Sequence, residues 1–274
     1  MAPTTAEVTI VIPCHDDGAV LAEAVDSARS QTLPVRIVVV DDGSTEPVTR
    51  SVLESLAKDR DLLVISQEWR GVSVARNTGI AAASTDFVLC LDADDGLDAS
   101  SAQVLLEALG RRHDAGFAYP SVRMFGAVSR RWRIPPFNSL ALLAGNVIPY
   151  CALMRRGVWE SVGGYCESVT SRYEDWDFWL SCVEQGIHGL YVPDATLWYR
   201  RGDGSALERA KREHRMVQAQ VRSRHPLLYR PQRIARQAMS HPDEVPGALV
   251  RMARELIRQA GLPPLPGPRT SRVR

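Results

Sequence analysis

Short apolar runs alternate with helix-like stretches through the first part of the chain. The apolar runs are residues 8–12, 36–40, 62–65 and 87–91, and after each of them apolar side chains recur at helical spacing. Unbroken runs of this length are typical of strands that are buried on both faces of a parallel sheet. Four strand–helix units in succession, with no internal repeat, predict an α/β fold with a parallel, doubly wound sheet.

Acidic residues follow three of these four runs. They form the pairs Asp16 and Asp17, Asp41 and Asp42, and Asp92 and Asp94. Because the carboxyl ends of parallel strands lie side by side, we expect all six carboxylates to converge on the crevice where such sheets bind ligands. Clustered carboxylates repel one another, and an Asp-x-Asp after a buried strand favours a shared cation. The pattern predicts a metal–phosphate site centred on Asp92 and Asp94.

The phosphate-binding motifs of two common nucleotide-binding classes are absent from the sequence. No G-x-G-x-x-G follows the first apolar run, and no G-x-x-x-x-G-K-[ST] occurs anywhere. These absences argue against a dinucleotide oxidoreductase and a P-loop NTPase. Without a glycine-rich phosphate loop, the positive charge that phosphates need is expected to come from a metal ion.

The second half of the chain is less regular. Strands are predicted at residues 119–125, 146–154 and 190–192, and a second acidic cluster, Glu174 and Asp175, stands between aromatic residues at the start of a helical pattern. We expect one domain at residues 1–205 and a helical C-terminal extension at 206–274. The extension is predicted to contain helices at 206–232 and 245–260 and to end in a disordered basic tail.

The overall composition is that of an ordinary globular protein, with 45% apolar and 24% charged residues. The net charge of +1 hides an asymmetry, since 17 of the 33 Lys and Arg residues but only 6 of the 32 Asp and Glu residues follow residue 198. Residues 137–154 carry no charge, but Asn138, Asn146 and Pro149 argue against a membrane-spanning helix. With no signal peptide, we expect a cytoplasmic protein whose basic tail contacts the inner face of an anionic membrane.

Seven short pieces of the sequence resemble, in order and spacing, the family 2 glycosyltransferases, which have the GT-A fold. The pieces are Val11-Ile-Pro13, Val40-Asp-Asp-Gly-Ser44, Ser73-Val-Ala-Arg-Asn-Thr-Gly-Ile80, Leu91-Asp-Ala-Asp-Asp95, Gly163-Gly164, Glu174-Asp-Trp-Asp177 and Tyr199-Arg200. The resemblance covers roughly residues 7–205. It implies a Rossmann-like, mostly parallel sheet flanked by helices. It also implies an inverting transferase that uses a nucleotide-diphosphate sugar and a divalent cation, Mg²⁺ or Mn²⁺.

The resemblance also implies a role for each matching residue. On the donor side, Pro13 would run along the nucleotide through its backbone, Asp42 with Asp41 beside it would bind the base, and Arg76 would lie near the base or phosphates. Asp92 would lie by the ribose and Asp94 on the metal, so that Asp94 and Asp92 form the metal site. Asp175 would be the catalytic base, and Glu174 would position the acceptor hydroxyl or its own loop.

This chain departs from the family pattern at two places. His15-Asp16 stands where an aromatic–Asn pair is common, which puts the choice of base or donor in question. Arg200-Arg201 stands where many members carry a histidine that reaches the metal or diphosphate. Either arginine could instead clamp the diphosphate, since a guanidinium matches phosphate geometry.

Three interpretations of the chain remain distinct. The leading one is a metal-dependent glycosyltransferase with a UDP-sugar donor, or with a dTDP- or GDP-sugar, and with a polysaccharide, lipid-linked or natural-product acceptor. The second is a catalytically silent nucleotide-sugar-binding or scaffold protein of the same fold. The third, a nucleotidyltransferase, ranks last because the loop at residues 13–18 is acidic rather than glycine-rich and basic. No nucleic-acid partner is expected, and the oligomeric state is left open.

Overall fold

The computed structural model describes residues 7–169, 173–202 and 219–240 of the chain. The predicted helix at 245–260, the predicted disordered tail and the predicted domain boundary at residue 205 lie outside these ranges.

The first four strands form the predicted parallel sheet. Their order in the sheet is β3-β2-β1-β4, and each neighbouring pair is parallel. The strands are β1 (Val8–Cys14), β2 (Val35–Asp42), β3 (Leu62–Gln67) and β4 (Phe87–Cys90). The helices between them are α1 (Gly18–Arg29), α2 (Pro47–Leu56) and α3 (Val72–Ala82). Every residue of β1 is buried, as an apolar run at the centre of such a sheet requires.

The sheet continues beyond β4 with mixed strand directions. The order is β4-β8-β6-β9-β5, with β7 paired to β6, and only the β6–β9 pair of this half is parallel. The elements are β5 (Gly96–Leu97), α4 (Ser101–Arg111), β6 (Ala115–Gly126), β7 (Arg130–Trp132), β8 (Leu153–Arg155) and β9 (His188–Arg201). The strand predicted at 146–154 is wrong for residues 146–152, which form a loop containing Pro149. Proline has no backbone N–H to donate to a neighbouring strand.

The remaining helices cover the second half of the sheet. They are α5 (Ser139–Ala144), α6 (Arg156–Val162), α7 (Glu174–Glu184), α8 (residues 219–224) and α9 (Pro231–Ser240). The single helix predicted at 206–232 is wrong in its described part, because turns at residues 225–230 separate α8 from α9, near Pro226 and Pro231. No helix in the described ranges is long and apolar enough to cross a membrane.

The C-terminal segment is anchored to α7 by charged side chains, of which Asp177 and His225 are buried. Asp177 accepts hydrogen bonds from Arg224 Nε at 2.8 Å and His225 Nε2 at 3.0 Å. His225 Nδ1 also lies 3.2 Å from Glu184 Oε2, at ion-pair distance but without hydrogen-bond geometry. Burial alone would raise the pKa of Asp177, but the hydrogen bonds from His225 and Arg224 outweigh it and lower that pKa. The segment is therefore held by ionised side chains as well as by apolar packing.

Candidate active site

A cleft of about 640 Å³ opens where the carboxyl ends of β1, β2 and β4 meet the N-terminus of α7. Four of the six predicted carboxylates line it, and so do both members of the second acidic cluster. The predicted residues in its lining are Pro13, Asp17, Asp42, Arg76, Asp92, Asp94, Glu174 and Asp175. The strand pattern predicted the meeting of the first four of these carboxylates, and the family resemblance implied that Glu174 and Asp175 join them.

Asp16 and Asp41 do not line the cleft, and the expectation that all six carboxylates converge is wrong for these two. The carboxylate of Asp16 accepts hydrogen bonds from the backbone N–H groups of Thr45 at 2.7 Å and Glu46 at 2.8 Å. That of Asp41 accepts one from Ser44 N at 2.9 Å. Both carboxylates therefore satisfy the backbone of the loop after β2, which is a common use of aspartate in turns.

Asp42 shapes the rim of the cleft. Its side chain is almost fully buried and accepts hydrogen bonds from Gln67 Nε2 at 2.7 Å, Arg70 N at 3.0 Å and Gly71 N at 2.7 Å. These bonds fix the loop that carries Trp69, whose side chain is 68% exposed and whose ring lies 6.1 Å from that of His15. An aromatic pair of this kind offers flat apolar surface to a ligand.

The loop after β2 tolerates no side chain at its first position, Gly43. Its φ of +69° lies in the left-handed region, and a Cβ there would stand 2.5 Å from the backbone nitrogen of Trp69. The glycine of the Asp-Asp-Gly-Ser sequence is thus required by the close approach of the two loops at the rim.

Arg76 links the two acidic clusters. Its Nη2 donates to Asp92 Oδ1 at 2.8 Å, and its Nη1 donates to Glu174 Oε1 at 2.7 Å. The side chain is buried, with Cζ 5.1 Å from the ring centroid of Tyr150 and 5.5 Å from that of Tyr165. Burial alone would lower its pKa, but Asp92 and Glu174 raise the pKa of Arg76 well above its usual value. The guanidinium is therefore a fixed cation between two carboxylates.

The carboxylates that follow β4 repel one another and Asp17, although Arg76 balances part of the charge of Asp92. Burial, Asp92 and Asp17 together raise the pKa of Asp94 to about 6. Burial and then Asp92 also raise the pKa of Asp17. Repulsion of this kind is relieved when a cation or a hydrogen-bond donor enters between the groups.

Tyr150 holds the same segment in place from the loop at 146–152. Its hydroxyl donates to Asp95 Oδ2 at 2.5 Å and accepts a hydrogen bond from Asp92 N at 3.0 Å. Asp95 is buried, and burial followed by the charge of Asp92 raises its pKa to about 8. Asp95 also accepts a 2.7 Å bond from the backbone N–H of Arg200, so it joins β9 to the cleft floor.

Glu174 and Asp175 point in different directions, although they are adjacent in the sequence. Glu174 turns to Arg76, whereas Asp175 Oδ2 accepts a hydrogen bond from Asn146 Nδ2 at 2.7 Å and Oδ1 accepts one from Trp176 N at 2.8 Å. Burial and the neighbouring Glu174 raise the pKa of Asp175 to about 7, against the lowering effects of Arg76 and Asn146. A carboxylate with such a pKa can exchange a proton near neutrality.

Arg200 is placed outside the cleft lining. Its Nε donates to Asp94 O at 2.9 Å, its Nη2 donates to Glu23 Oε2 at 2.5 Å, and its guanidinium lies 4.5 Å from the ring centroid of Phe125. Arg201 does not line the cleft either, and its Cζ lies 5.9 Å from the ring centroid of Tyr199, which does. Each arginine therefore contacts one cleft-lining residue, Arg200 through Asp94 and Arg201 through Tyr199.

The sequence pattern did not identify several residues that line or support the cleft. Asn146 and Tyr150 stand in an uncharged stretch whose polar residues served only to argue against a membrane helix. Trp69 stands in a loop between two elements, where an aromatic residue indicates nothing by itself. Tyr199 was part of a matching motif, so its place in the lining could have been anticipated.

The family model described as Glycosyl transferase family 2 matches residues 9–163 of the chain, which is more than half of its length. The chain belongs to glycosyl transferase family 2. The matched region contains the parallel half of the sheet except for Val8, the first residue of β1, and it contains the carboxylates Asp17, Asp42, Asp92 and Asp94.

Curated relatives of the chain are considerably longer than it is. The chain is 24% identical over 184 residues to a chondroitin synthase of Escherichia coli, a match that covers 65% of this chain and 27% of the relative. It is 30% identical over 209 residues to a pre-mycofactocin glycosyltransferase of Mycobacterium tuberculosis, covering 70% of this chain and 42% of the relative. The chain thus spans less than half the length of these two relatives.

Solved structures of S. aureus TarS share the fold. The structure of TarS 1–349 in complex with UDP-GlcNAc superposes with a TM-score of 0.63 at 14% identity, covering 92% of this chain and 85% of that one. The structure of TarS 1–349 in complex with UDP gives a TM-score of 0.60 at 16% identity, covering 93% and 87%. The chain has the GT-A fold with a helical C-terminal region, which confirms the predicted fold class.

Proposed function

We propose that the chain transfers a sugar from a nucleotide-diphosphate sugar to an acceptor hydroxyl, with inversion at the anomeric carbon and with a divalent cation bound at Asp92 and Asp94. One observation carries the proposal: the cleft has the acidic cluster Asp17, Asp92 and Asp94 on one side and Asp175, with its pKa near 7, at the N-terminus of α7. Membership in glycosyl transferase family 2 supports the reaction class. TarS, which was solved with UDP and with UDP-GlcNAc, supports the choice of a UDP-sugar as the proposed donor.

The residues present fit a cation held partly by the donor. Among the described residues, no three His, Cys, Asp or Glu side chains are arranged to hold a metal ion by themselves. Mg²⁺ in such sites is typically bound by one or two carboxylates together with substrate phosphates and water, and Mn²⁺ accepts similar oxygen ligands. Asp94 with Asp92 would supply the protein ligands, and Asp17 would add negative charge nearby. When bound, the cation would stabilise the charge that develops on the leaving nucleoside diphosphate.

The chain's own residues would handle the acceptor. Asp175 would take the proton from the attacking hydroxyl, because its raised pKa lets it accept a proton near neutrality. Asn146 orients one of its oxygens, and Trp176 N engages the other. Arg76 donates hydrogen bonds to Asp92, on the side of the cleft proposed for the donor, and to Glu174, on the side proposed for the acceptor. These two bonds hold the two sides of the cleft at a fixed separation. Precise placement of this kind is a major part of the rate enhancement that enzymes achieve.

Binding of the donor provides the first test. Melting temperatures would be measured with UDP-, dTDP- and GDP-sugars, each with Mn²⁺ and with EDTA. A ligand at about 100 times its dissociation constant stabilises the folded state by about 2.7 kcal/mol, which is easily detected. We expect one nucleotide class to stabilise the protein, and only with the cation. Equal stabilisation in EDTA would refute the cation requirement.

Turnover separates the transferase from a catalytically silent protein of the same fold. Release of free nucleotide and the anomeric configuration of the product would be followed by NMR with candidate hydroxyl acceptors. An inverted product favours the proposal, and a retained one contradicts it. Donor binding without any release of nucleotide, in wild type and Asp175→Asn alike, would favour the silent alternative.

The described C-terminal segment supports a peripheral contact with an anionic membrane. Residues 219–240 contain five arginines and no Asp or Glu. A second cavity of about 990 Å³ lies between α9 and the C-terminal end of α7, and its lining combines Arg230 and Arg233 with Ile187 and Leu227. Leu227 is 46% exposed. Basic and apolar groups in one recess match the headgroup region of an anionic bilayer.

A further inference from the structure

A ribbon of three strands projects from the sheet beside the cleft. The C-terminal half of β6 pairs on one side with β7 and on the other with the end of β9. Met124 pairs with Arg130 on β7 and with Tyr199 on β9, so these three side chains form one row across the ribbon. Paired residues project from the same face of a sheet. The row therefore begins at Tyr199 in the cleft wall and ends at Arg130 on the outer edge.

The face that carries this row is cationic and aromatic. Residues two apart on a strand share a face, so Arg201 and Trp132 lie on it together with Arg130. Arg130 is exposed, Trp132 is 36% exposed, and Arg201 lies over the ring of Tyr199. We call Arg130, Trp132, Tyr199 and Arg201 the ribbon face. Arg130 stands two interstrand spacings from Tyr199, which is about 10 Å.

Acidic side chains are missing from this part of the sequence. Residues 115–159 contain six arginines and no Asp or Glu. Among the described residues, no carboxylate forms an ion pair with Arg130. A guanidinium beside an exposed indole is well suited to hold a sugar ring and an anionic substituent, since arginine matches phosphate and carboxylate oxygens and aromatic faces cover apolar surface.

We propose that the ribbon face binds an anionic part of the acceptor, so that the acceptor is a saccharide carrying carboxylate or phosphate groups. This inference rests on the proposed function, because it takes the cleft to be the site of transfer. An acceptor whose reacting hydroxyl lies at Asp175 would leave the cleft past Tyr199 and run over Arg201, Trp132 and Arg130. The position of the ribbon face thus makes it a determinant of which acceptor is used.

Protection of an edge strand is the competing explanation for these arginines. Exposed charges on an edge strand such as β7 prevent pairing with other chains. That role needs charge on either face of the strand and gains nothing from an exposed tryptophan. Arg131 provides the comparison, because it neighbours Arg130 on β7 but pairs with Arg123 on the opposite face. Edge protection predicts equal effects of the two arginines, whereas acceptor binding predicts an effect of Arg130 alone.

Binding of matched saccharides tests the inference. Hexagalacturonate and its uncharged methyl ester would be titrated by calorimetry into the protein with UDP and Mn²⁺ present, and short-chain polyphosphate would show whether phosphate oxygens suffice. We expect hexagalacturonate to bind at least tenfold more tightly than its ester. Arg130→Ala should remove most of this preference, and Arg131→Ala should change either affinity less than twofold. Trp132→Ala should weaken both saccharides to a similar extent.

Several outcomes would overturn the inference. They are equal binding of acid and ester by the wild-type protein, and equal effects of Arg130→Ala and Arg131→Ala. Loss of anionic-vesicle binding in Arg130→Ala, with saccharide binding unchanged, would assign the ribbon face to a membrane instead. Melting temperature and UDP affinity, measured on each variant, show that the fold and donor site are intact. If the protein bound the anionic saccharide but no nucleotide, the proposed transferase function would be contradicted. The assignment of the ribbon face as an anion-binding site would still be supported.

Discussion

The side-chain amide of Asn146 donates a 2.7 Å hydrogen bond to Oδ2 of Asp175. The donor comes from the loop between α5 and β8, and the acceptor comes from the first turn of α7. This bond stabilises the ionised carboxylate and so opposes the effect of burial and of Glu174, which raise the pKa of Asp175 to about 7. The loop therefore contributes to the pH at which Asp175 can accept a proton, alongside the larger effects of burial, Glu174 and Arg76.

Replacement of Asn146 should move the pH profile. In the wild type, kcat/KM should rise through about pH 7 as Asp175 loses its proton. Asn146→Ala removes a donor to the ionised form, so the pKa of Asp175 rises and the acidic limb should move up by about one pH unit. Asn146→Asp places a like charge beside Asp175 and should move the limb further. If the Asn146 variants had a lower kcat/KM but the acidic limb of the pH profile stayed at the same pH, Asn146 would act only in packing.

The two carboxylates at the start of α7 should respond differently to neutralisation. Asp175→Asn keeps size and hydrogen bonding but cannot accept a proton, so turnover should fall by about 10²–10⁴. Donor affinity, measured by calorimetry with UDP and Mn²⁺, should change little, since the donor carboxylates lie on other elements. Glu174→Gln should be milder in turnover. If Asp175→Asn retained near-normal turnover and Glu174→Gln lost it, Glu174 would be the catalytic base and Asp175 the positioning residue. If neither substitution reduced turnover, the catalytic base would be a residue outside this pair.

Asp94 should be required for binding of the cation and not for the stability of the fold. Its side chain lines the cleft, and its raised pKa reflects crowding by Asp92 and Asp17. Asp94→Ala should abolish turnover and the Mn²⁺-dependent part of UDP binding, while the melting temperature of the unliganded protein stays the same or rises. Asp41→Ala serves as a matched control, because Asp41 has a backbone partner outside the cleft. Mn²⁺-dependent binding in Asp94→Ala equal to that of the wild type would remove Asp94 from the metal site.

Loss of Arg76 should reduce stability as well as activity. Its buried guanidinium is hydrogen-bonded to both Asp92 and Glu174, and removing one partner of a buried ion pair costs about 3–5 kcal/mol. Arg76→Met should lower the free energy of unfolding in urea by an amount of that order. Arg70→Met, which breaks an exposed pair with Glu167, should cost less than about 1 kcal/mol. Similar losses in the two variants would contradict the assignment of Arg76 as a structural cation.

Charge reversal in the C-terminal segment should weaken membrane contact. Arg230 lines the cavity beside α9, so Arg230→Glu should reduce co-sedimentation with vesicles containing anionic phospholipid, most clearly at low salt. Arg111→Glu makes the same change of charge on the exposed face of α4 and should have a smaller effect. Absence of wild-type binding at low and at moderate ionic strength would leave the segment with a packing role only.

The sequence was sufficient for the parallel half of the sheet, because buried strands produce unbroken apolar runs and their carboxyl ends must meet. The same pattern was sufficient for the meeting of Asp42, Asp92 and Asp94, whereas the place of the α7 carboxylates beside them was implied by the family resemblance. It could not indicate that Arg76 is buried, since an arginine on a helix is normally exposed and its two partners lie 16 and 98 residues away. Nor could it indicate the full length of β9, because Pro193 and Asp194 interrupt the strand pattern where the register with β6 shifts.

The position of Arg76 between Asp92 and Glu174 also constrains how the sequence can change. One cation balances two carboxylates, so a neutral residue at position 76 leaves both carboxylates unpaired, and loss of both carboxylates leaves a buried cation unpaired. A series of single substitutions from this triplet to an uncharged one therefore passes through a destabilised protein. In descendants of this chain we therefore expect the three residues to be inherited as a set, while the ribbon of β6 and β7 remains free to diversify.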